Sequence, residues 1–211
     1  MGKALRLGAG LGSRPLARYL LDHGIELAVA DVDPRRAAAQ VEGEAHGTAL
    51  DLDVGDAAAL DRLVAQCDVV VSLLPAPFHP RIAEVCLAHR KHLVTSSYVS
   101  PAMAALESRA QAAGVALLNE LGVDPGIDHM SAMSVIDGVK ARGGRVISFR
   151  SYCGGIPAPE ANDNPWGYKF SWSPLGVLRA AANTARYLKN SRTVELAADQ
   201  VFRDLHSLPV A

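Results

Sequence analysis

Six short apolar runs alternate with helical periodicity between Lys3 and Asn119, and this alternation limits the fold more than any other feature. Lys3 to Gly8, Glu26 to Ala30, Thr48 to Leu52, Val69 to Leu74, His92 to Thr95 and Val115 to Asn119 each read as a strand. Leu16, Tyr19 and Leu20, then Ala57 to Ala65, Ile82 to His89 and the alanine-rich Pro101 to Ala113 carry helical spacing between them. The run Val69-Val70-Val71-Ser72-Leu73-Leu74 does not alternate, as a strand covered on both faces requires. The predicted class is therefore α/β, a Rossmann-type doubly wound parallel sheet with right-handed crossovers.

Ligands of such sheets bind beyond the carboxyl ends of the strands. Four clusters fall there: the Gly8-Ala9-Gly10-Leu11-Gly12 turn, Leu74-Pro75, Ser96-Ser97-Tyr98, and Glu120 through Val123-Asp124-Pro125-Gly126. A glycine-rich turn before a helix lets backbone amides approach a pyrophosphate, with Pro15 suited to the first helical turn. The match to G-x-G-x-x-G is loose, because Ser13 stands where the third glycine belongs and Gly12 comes one place early. Asp31 closes the second strand about 20 residues after the glycines, where a carboxylate accepts from ribose hydroxyls and repels a 2′-phosphate. That predicts NAD over NADP, although Arg35 and Arg36 follow closely and would tolerate the phosphate. Asp53-Val54 ends the third strand near the expected adenine. Asp124-Pro125-Gly126 reads either as a capped start to the helix Ile127 to Ala141 or as a group facing a nicotinamide.

After Gly143-Gly144 the period changes. Arg145 to Tyr152 alternates like a strand of a mixed or antiparallel sheet, Leu175 to Leu188 reads as an amphipathic helix, and Thr193 to Ala197 as a strand. The predicted division is a nucleotide-binding domain over residues 1–126 and the start of an α+β substrate domain over 127–211. Only 5% of the chain is aromatic, yet Tyr152 to Ser173 gathers a thiol, a glycine pair, a lysine and a cluster of aromatics. This stretch reads as a substrate loop or as a surface loop whose aromatics cap a core.

Composition removes several function classes. A net charge of −1 gives no attraction to nucleic acid or anionic membranes. No apolar run reaches the roughly 20 residues of a membrane span, and the strand pattern begins too early for a signal peptide. Cys67, Cys86 and Cys153 are odd in number and widely spaced, which predicts reduced thiols in a cytoplasmic protein and no zinc site. Cys67 and Cys86 flank apolar runs and read as core. His79, His89, His92 and His129 lack ligand spacing and read as surface or capping residues. Glu120 reads equally as a site carboxylate or a strand-end cap, and Lys169 as a loop lysine.

The chain resembles the saccharopine dehydrogenase family, in its L-glutamate-forming type. The resemblance covers almost the whole chain. Gly8-Ala9-Gly10, Asp68-Val69-Val70, Phe78-His79-Pro80, Ser96-Ser97-Tyr98 and Asn119-Glu120 carry part of it. The specific part lies in Asp124-Pro125-Gly126-Ile127-Asp128-His129, Ser151-Tyr152-Cys153-Gly154-Gly155 and Asn164 through Ser173. It implies reversible oxidation of saccharopine to L-glutamate and α-aminoadipate semialdehyde, with a nicotinamide cofactor taking the hydride. It places Tyr98, Asp124 and Cys153 around the reacting nitrogen, and Ser96 and Ser97 on a substrate carboxylate or amine. Phe170, Trp172 and Ser173 would close the cleft, with Ser173, Leu74, Pro75 and Val123 on the cofactor. Family members are about twice as long, so the chain corresponds to the front half. A carboxynorspermidine dehydrogenase-like reductase and a non-catalytic NAD(P)-binding half-protein are the competing readings. An open edge on the second sheet would allow a homodimer.

Overall fold

The computed structural model describes residues 2–203, which divide into two compact units between Gly154 and Gly155.

The first unit is built on six parallel strands: β1 (Lys3–Leu7), β2 (Glu26–Asp31), β3 (Gly47–Asp51), β4 (Val69–Ser72), β5 (His92–Thr95) and β6 (Leu117–Leu118). Their order is β3-β2-β1-β4-β5-β6, so strand order reverses between β1 and β4. Helices α1 (Arg14–Asp22), α2 (Pro34–Val41), α3 (Ala57–Ala65), α4 (His79–Ala88), α5 (Pro101–Ala104) and α6 (Glu107–Ala113) make the crossovers. The alternation of β1 splits its side chains between two cores. Leu5 and Leu7 join Leu60, Val64, Ile82 and Leu93 on one face, while Ala4 joins Ala17, Leu21, Leu27, Val29, Ala37 and Val41 on the other. Truncating Ile82 or Leu93, both fully buried, to alanine costs about 2–5 kcal/mol.

Asp33, Asp56 and Ser100 start α2, α3 and α5 by accepting backbone amides two or three residues ahead. The helix expected over 101–113 is interrupted at Ala105–Leu106, where the chain turns before α6. Helix α7 (Ile127–Ala141) follows the expected bounds and buries none of its side chains.

Two expectations for the later part are corrected. Residues 145–152 form no strand. A strand needs a neighbour for its amides and carbonyls, and the described residues place none beside this exposed segment. The helix expected over 175–188 stops early. Helix α8 (Pro174–Ala180) is followed by an antiparallel hairpin, β7 (Ala185–Lys189) with β8 (Arg192–Leu196). Asn190 and Ser191, with φ of 52° and 61°, make the two-residue turn, and both positive values match a type I′ hairpin connection. Among the described residues no helix is long and apolar enough to cross a membrane.

Candidate active site

The glycine turn lies at the point where strand order reverses. Gly8 takes φ of +97°, and a Cβ there would stand 3.2–3.3 Å from Leu74 and the Leu73 backbone, so the turns after β1 and β4 approach too closely for a side chain. Open space surrounds the Cβ positions of Gly10 and Gly12, and Leu11 is exposed. Among the described residues the amides of Gly10, Leu11 and Gly12 meet no acceptor, and Ser13 leaves the first α1 amides uncapped because its hydroxyl donates back to the Gly10 carbonyl at 2.7 Å. Free amides and a positive helix end are what a pyrophosphate requires.

Beneath the turn lies Arg6, an arginine inside an otherwise apolar strand and fully buried. It donates to the Ser13 carbonyl at 2.7 Å, while its Nε and second terminal nitrogen have no protein acceptor. Burial pulls its pKa down to about 10, with Asp31 opposing the shift. The guanidinium adds positive charge beside the start of α1, where its Ser13 contact lies. Its position in Lys3-Ala4-Leu5-Arg6-Leu7 was the signal, and sequence reasoning passed over it.

Asp31 is half-buried. One carboxylate oxygen accepts from the Ala9 amide at 2.7 Å and the other from the Asp33 amide at 2.9 Å. The side chain thus braces the glycine turn against β2. Arg35 lies exposed beside it, paired with Asp33 at 3.2 Å. Asp53 folds onto the Gly55 amide at 2.7 Å as a turn former, and Val54 is buried in the core. Leu74 is half-buried, and Pro75 and Val123 are exposed.

The polar trio converges. The Tyr98 hydroxyl, three residues beyond β5, donates to Asp124 at 2.9 Å. Desolvation, then the Asp124 hydrogen bond and charge, pushes the phenol up to about 12. Cys153 is exposed and free, and its thiol is pushed up by local desolvation and then by Asp124 through charge and a hydrogen bond. Both groups therefore stay protonated at neutral pH, and the Tyr98 phenol donates to the carboxylate. Cys67 and Cys86 are buried, as expected.

The Asp124 loop is tightly bound to itself. Gly122 donates to the Pro125 carbonyl at 2.9 Å, Ile127 to that of Gly122 at 3.0 Å, and Asp128 accepts the Gly126 amide at 2.9 Å. Glu120 accepts from the Val99 amide at 3.1 Å and so ties the Tyr98 segment to this loop. Asp124, Asp128 and His129 bring ligand-type atoms within 4.8 Å of one another, and His129 bonds Asp128 at 2.7 Å.

Ser96 and Ser97 are half-buried, with Ser96 packed near Gly122. His79, expected at the surface, is instead buried and bonded to Ser72, Thr95 and Ser97. Helix α4 begins at His79, which turns the imidazole inward between β4 and β5. In the second unit Ser173 caps α8 by accepting from Gly176 at 3.1 Å, Phe170 stands edge-on to Tyr168, and Lys169 pairs with Asp163 at 2.8 Å. Trp172 and Phe170 are about half exposed.

Comparison with known proteins decides the family. A model described as the saccharopine dehydrogenase NADP binding domain matches residues 4–118, more than half of the chain, and one described as the saccharopine dehydrogenase C-terminal domain matches 122–210. The chain belongs to the saccharopine dehydrogenase family. Within that family it is 46% identical over 197 residues to saccharopine dehydrogenase [NADP(+), L-glutamate-forming] of Pyricularia oryzae, covering 93% of this chain and 44% of that protein. The Saccharomyces cerevisiae protein of the same name is 43% identical over 205 residues, covering 95% and 45%. The apo structure of saccharopine dehydrogenase (L-Glu forming) from Saccharomyces cerevisiae superposes with a TM-score of 0.88 at 40% identity, over all of this chain and 47% of that one. The chain spans less than half the length of these saccharopine dehydrogenases, and none of these matches favours a polyamine enzyme. The expected preference for NAD finds no support in them and the names lean the other way, toward NADP.

Proposed function

We propose that this chain carries the cofactor site and the proton-handling residues of an NADP-dependent saccharopine dehydrogenase. The observation that carries the reading is the hydrogen bond from the Tyr98 phenol to Asp124 at 2.9 Å, past the carboxyl ends of the strands and in the same unit as the glycine turn. The free amides after β1, the α1 N-terminus and the Arg6 charge fit a dinucleotide pyrophosphate. Asp31 is spent on the turn's own backbone, and the exposed Arg35 with Arg36 offers the charge a 2′-phosphate needs.

The glycine turn and the α1 N-terminus would hold a nicotinamide cofactor, whose chemistry there would be to accept a hydride from the carbon of the substrate's C–N bond. Asp124 is the group that accepts the proton of the reacting nitrogen. The Tyr98 phenol, donating to Asp124 at 2.9 Å, holds the carboxylate in place, and both it and the Cys153 thiol stay protonated at neutral pH. Ser96 and Ser97 bind the substrate's polar end. Saccharopine is the proposed substrate. A homodimer would use the open edges of the β7–β8 pair, and three free thiols suit the cytoplasm.

Calorimetric titration with NADPH and with NADH tests the cofactor reading. Tighter binding of NADPH, lost in Arg35→Ala, supports it. Tighter binding of NADH restores Asp31 as the selecting group.

A further inference from the structure

Five polar side chains are buried among the described residues, and three of them, Ser72, His79 and Thr95, form one group. The group has a single half-buried member, Ser97. His79 Nδ1 lies 3.1 Å from the Ser72 hydroxyl. Its Nε2 lies 2.8 Å from the Ser97 hydroxyl and 2.9 Å from that of Thr95. The Ser97 backbone is already committed, its amide to Thr95 Oγ1 at 3.3 Å and its carbonyl to the Glu120 amide at 3.0 Å. Only the hydroxyl of Ser97 is left to act.

What that hydroxyl can recognise depends on the imidazole. With the proton on Nδ1, His79 takes a hydroxyl proton at Nε2, and a Ser97 that supplies it turns its lone pairs outward, toward an ammonium. With the proton on Nε2, His79 donates to Ser97, whose own proton then faces outward, toward a carboxylate. In the first form a Ser97 that supplies the proton leaves those of both Ser72 and Thr95 without an acceptor among the described residues, and the second form leaves only that of Thr95. The contacts point the same way. Only one hydroxyl proton lies on the Nε2 lone pair, so in the first form the other oxygen sits within 3 Å of the nitrogen with no proton between them. An N–H shared between two oxygens has no such clash and is a common arrangement. Burial holds the imidazole neutral, in keeping with either form.

We infer that His79 is a positioning residue, donating from Nε2 to Ser97 so that the Ser97 hydroxyl points its proton at a carboxylate of the substrate. The inference rests on the saccharopine reading above and assigns one of its two serines a partner.

The test pairs two readouts on the full chain. Long-range nitrogen–proton correlation on histidine-labelled protein reports the tautomer, and an Nε2–H signal is expected. Saccharopine is then titrated in the presence of NADPH, a pair that cannot react. Ser97→Ala and His79→Leu are each expected to weaken binding about tenfold, and together no more than either alone, because one acts through the other. His79→Gln, which keeps an N–H at the end of the side chain, should retain most of the affinity. An Nδ1–H signal overturns the inference, as does a His79→Leu loss that persists in full beside Ser97→Ala. Failure of the unmutated chain to bind saccharopine overturns the carboxylate partner named here. An Nε2–H signal in that same sample would locate the fault in the substrate and not in the hydrogen-bonded group.

Discussion

Replacing Gly126 with alanine should unravel the Asp124 loop. Gly126 takes φ of +152°, a region that side chains avoid. A Cβ built there stands 2.6 Å from the Gly122 amide nitrogen and 2.8 Å from its carbonyl carbon, and closer still to its carbonyl oxygen. All three atoms are backbone, so no rotamer change relieves the contact. Gly122 is itself held by Pro125 and Ile127, and it cannot retreat without breaking bonds of 2.9 and 3.0 Å. Backbone strain of about 1–3 kcal/mol and overpacking of about 1–3 kcal/mol add to roughly 2–6 kcal/mol. For a chain of this size, each kcal/mol lowers the melting midpoint by about 2–4 °C. Gly138, inside α7, provides the control. A Cβ there meets only the end of the Arg142 side chain at 3.5 Å, so Gly138→Ala should gain about 0.5–1 kcal/mol. Thermal melts followed by circular dichroism compare the two. Gly126→Ala melting within a degree of the unmutated chain would refute the account of this loop.

Asp124→Asn should bring the Tyr98 phenol down from about 12 toward its ordinary range, read by proton NMR of the Tyr98 ring across alkaline pH. The same variant should speed alkylation of Cys153, whose thiol Asp124 helps to hold protonated, while buried Cys67 and Cys86 stay unreactive in the native chain. Arg35→Ala should weaken NADPH about tenfold and leave NADH unchanged in calorimetry. The His79 pKa is lowered by burial, so the folded chain binds fewer protons than the unfolded one. Stability from this group is present above the unfolded value and lost as pH falls through the folded value. Denaturation midpoints measured from pH 8 to pH 5 should therefore fall more steeply in the unmutated chain than in His79→Gln.

The strand–helix alternation was legible because each strand is covered on both faces and each helix on one. Burial wrote that pattern directly into Val69 to Ser72 and Ala57 to Ala65, and their predicted and observed bounds nearly coincide. The 175–188 segment misled because Ala180 to Ala182 favour a helix locally, while Asn190 and Ser191 close a hairpin whose pairing partner lies further along. The 145–152 segment alternates like a strand, but periodicity says nothing about whether a neighbour exists. His79 and Arg6 were passed over or misplaced for a shared reason. A polar residue's burial depends on partners distant in sequence, such as Thr95 and Ser97 for His79, and no local pattern announces them. Asp31 stood at the expected strand end, but the backbone amides that donate to it, those of Ala9 and Asp33, became visible only in the folded turn.

The most direct test of the central claim is absorbance at the reduced-nicotinamide band, with the purified chain at substrate level, NADP and saccharopine. The account predicts that NADPH forms within a single turnover and that Asp124→Ala, with cofactor binding intact, abolishes it. Tight NADP binding without any hydride transfer from saccharopine would contradict the assignment of Asp124, Tyr98 and Cys153 to the reacting nitrogen.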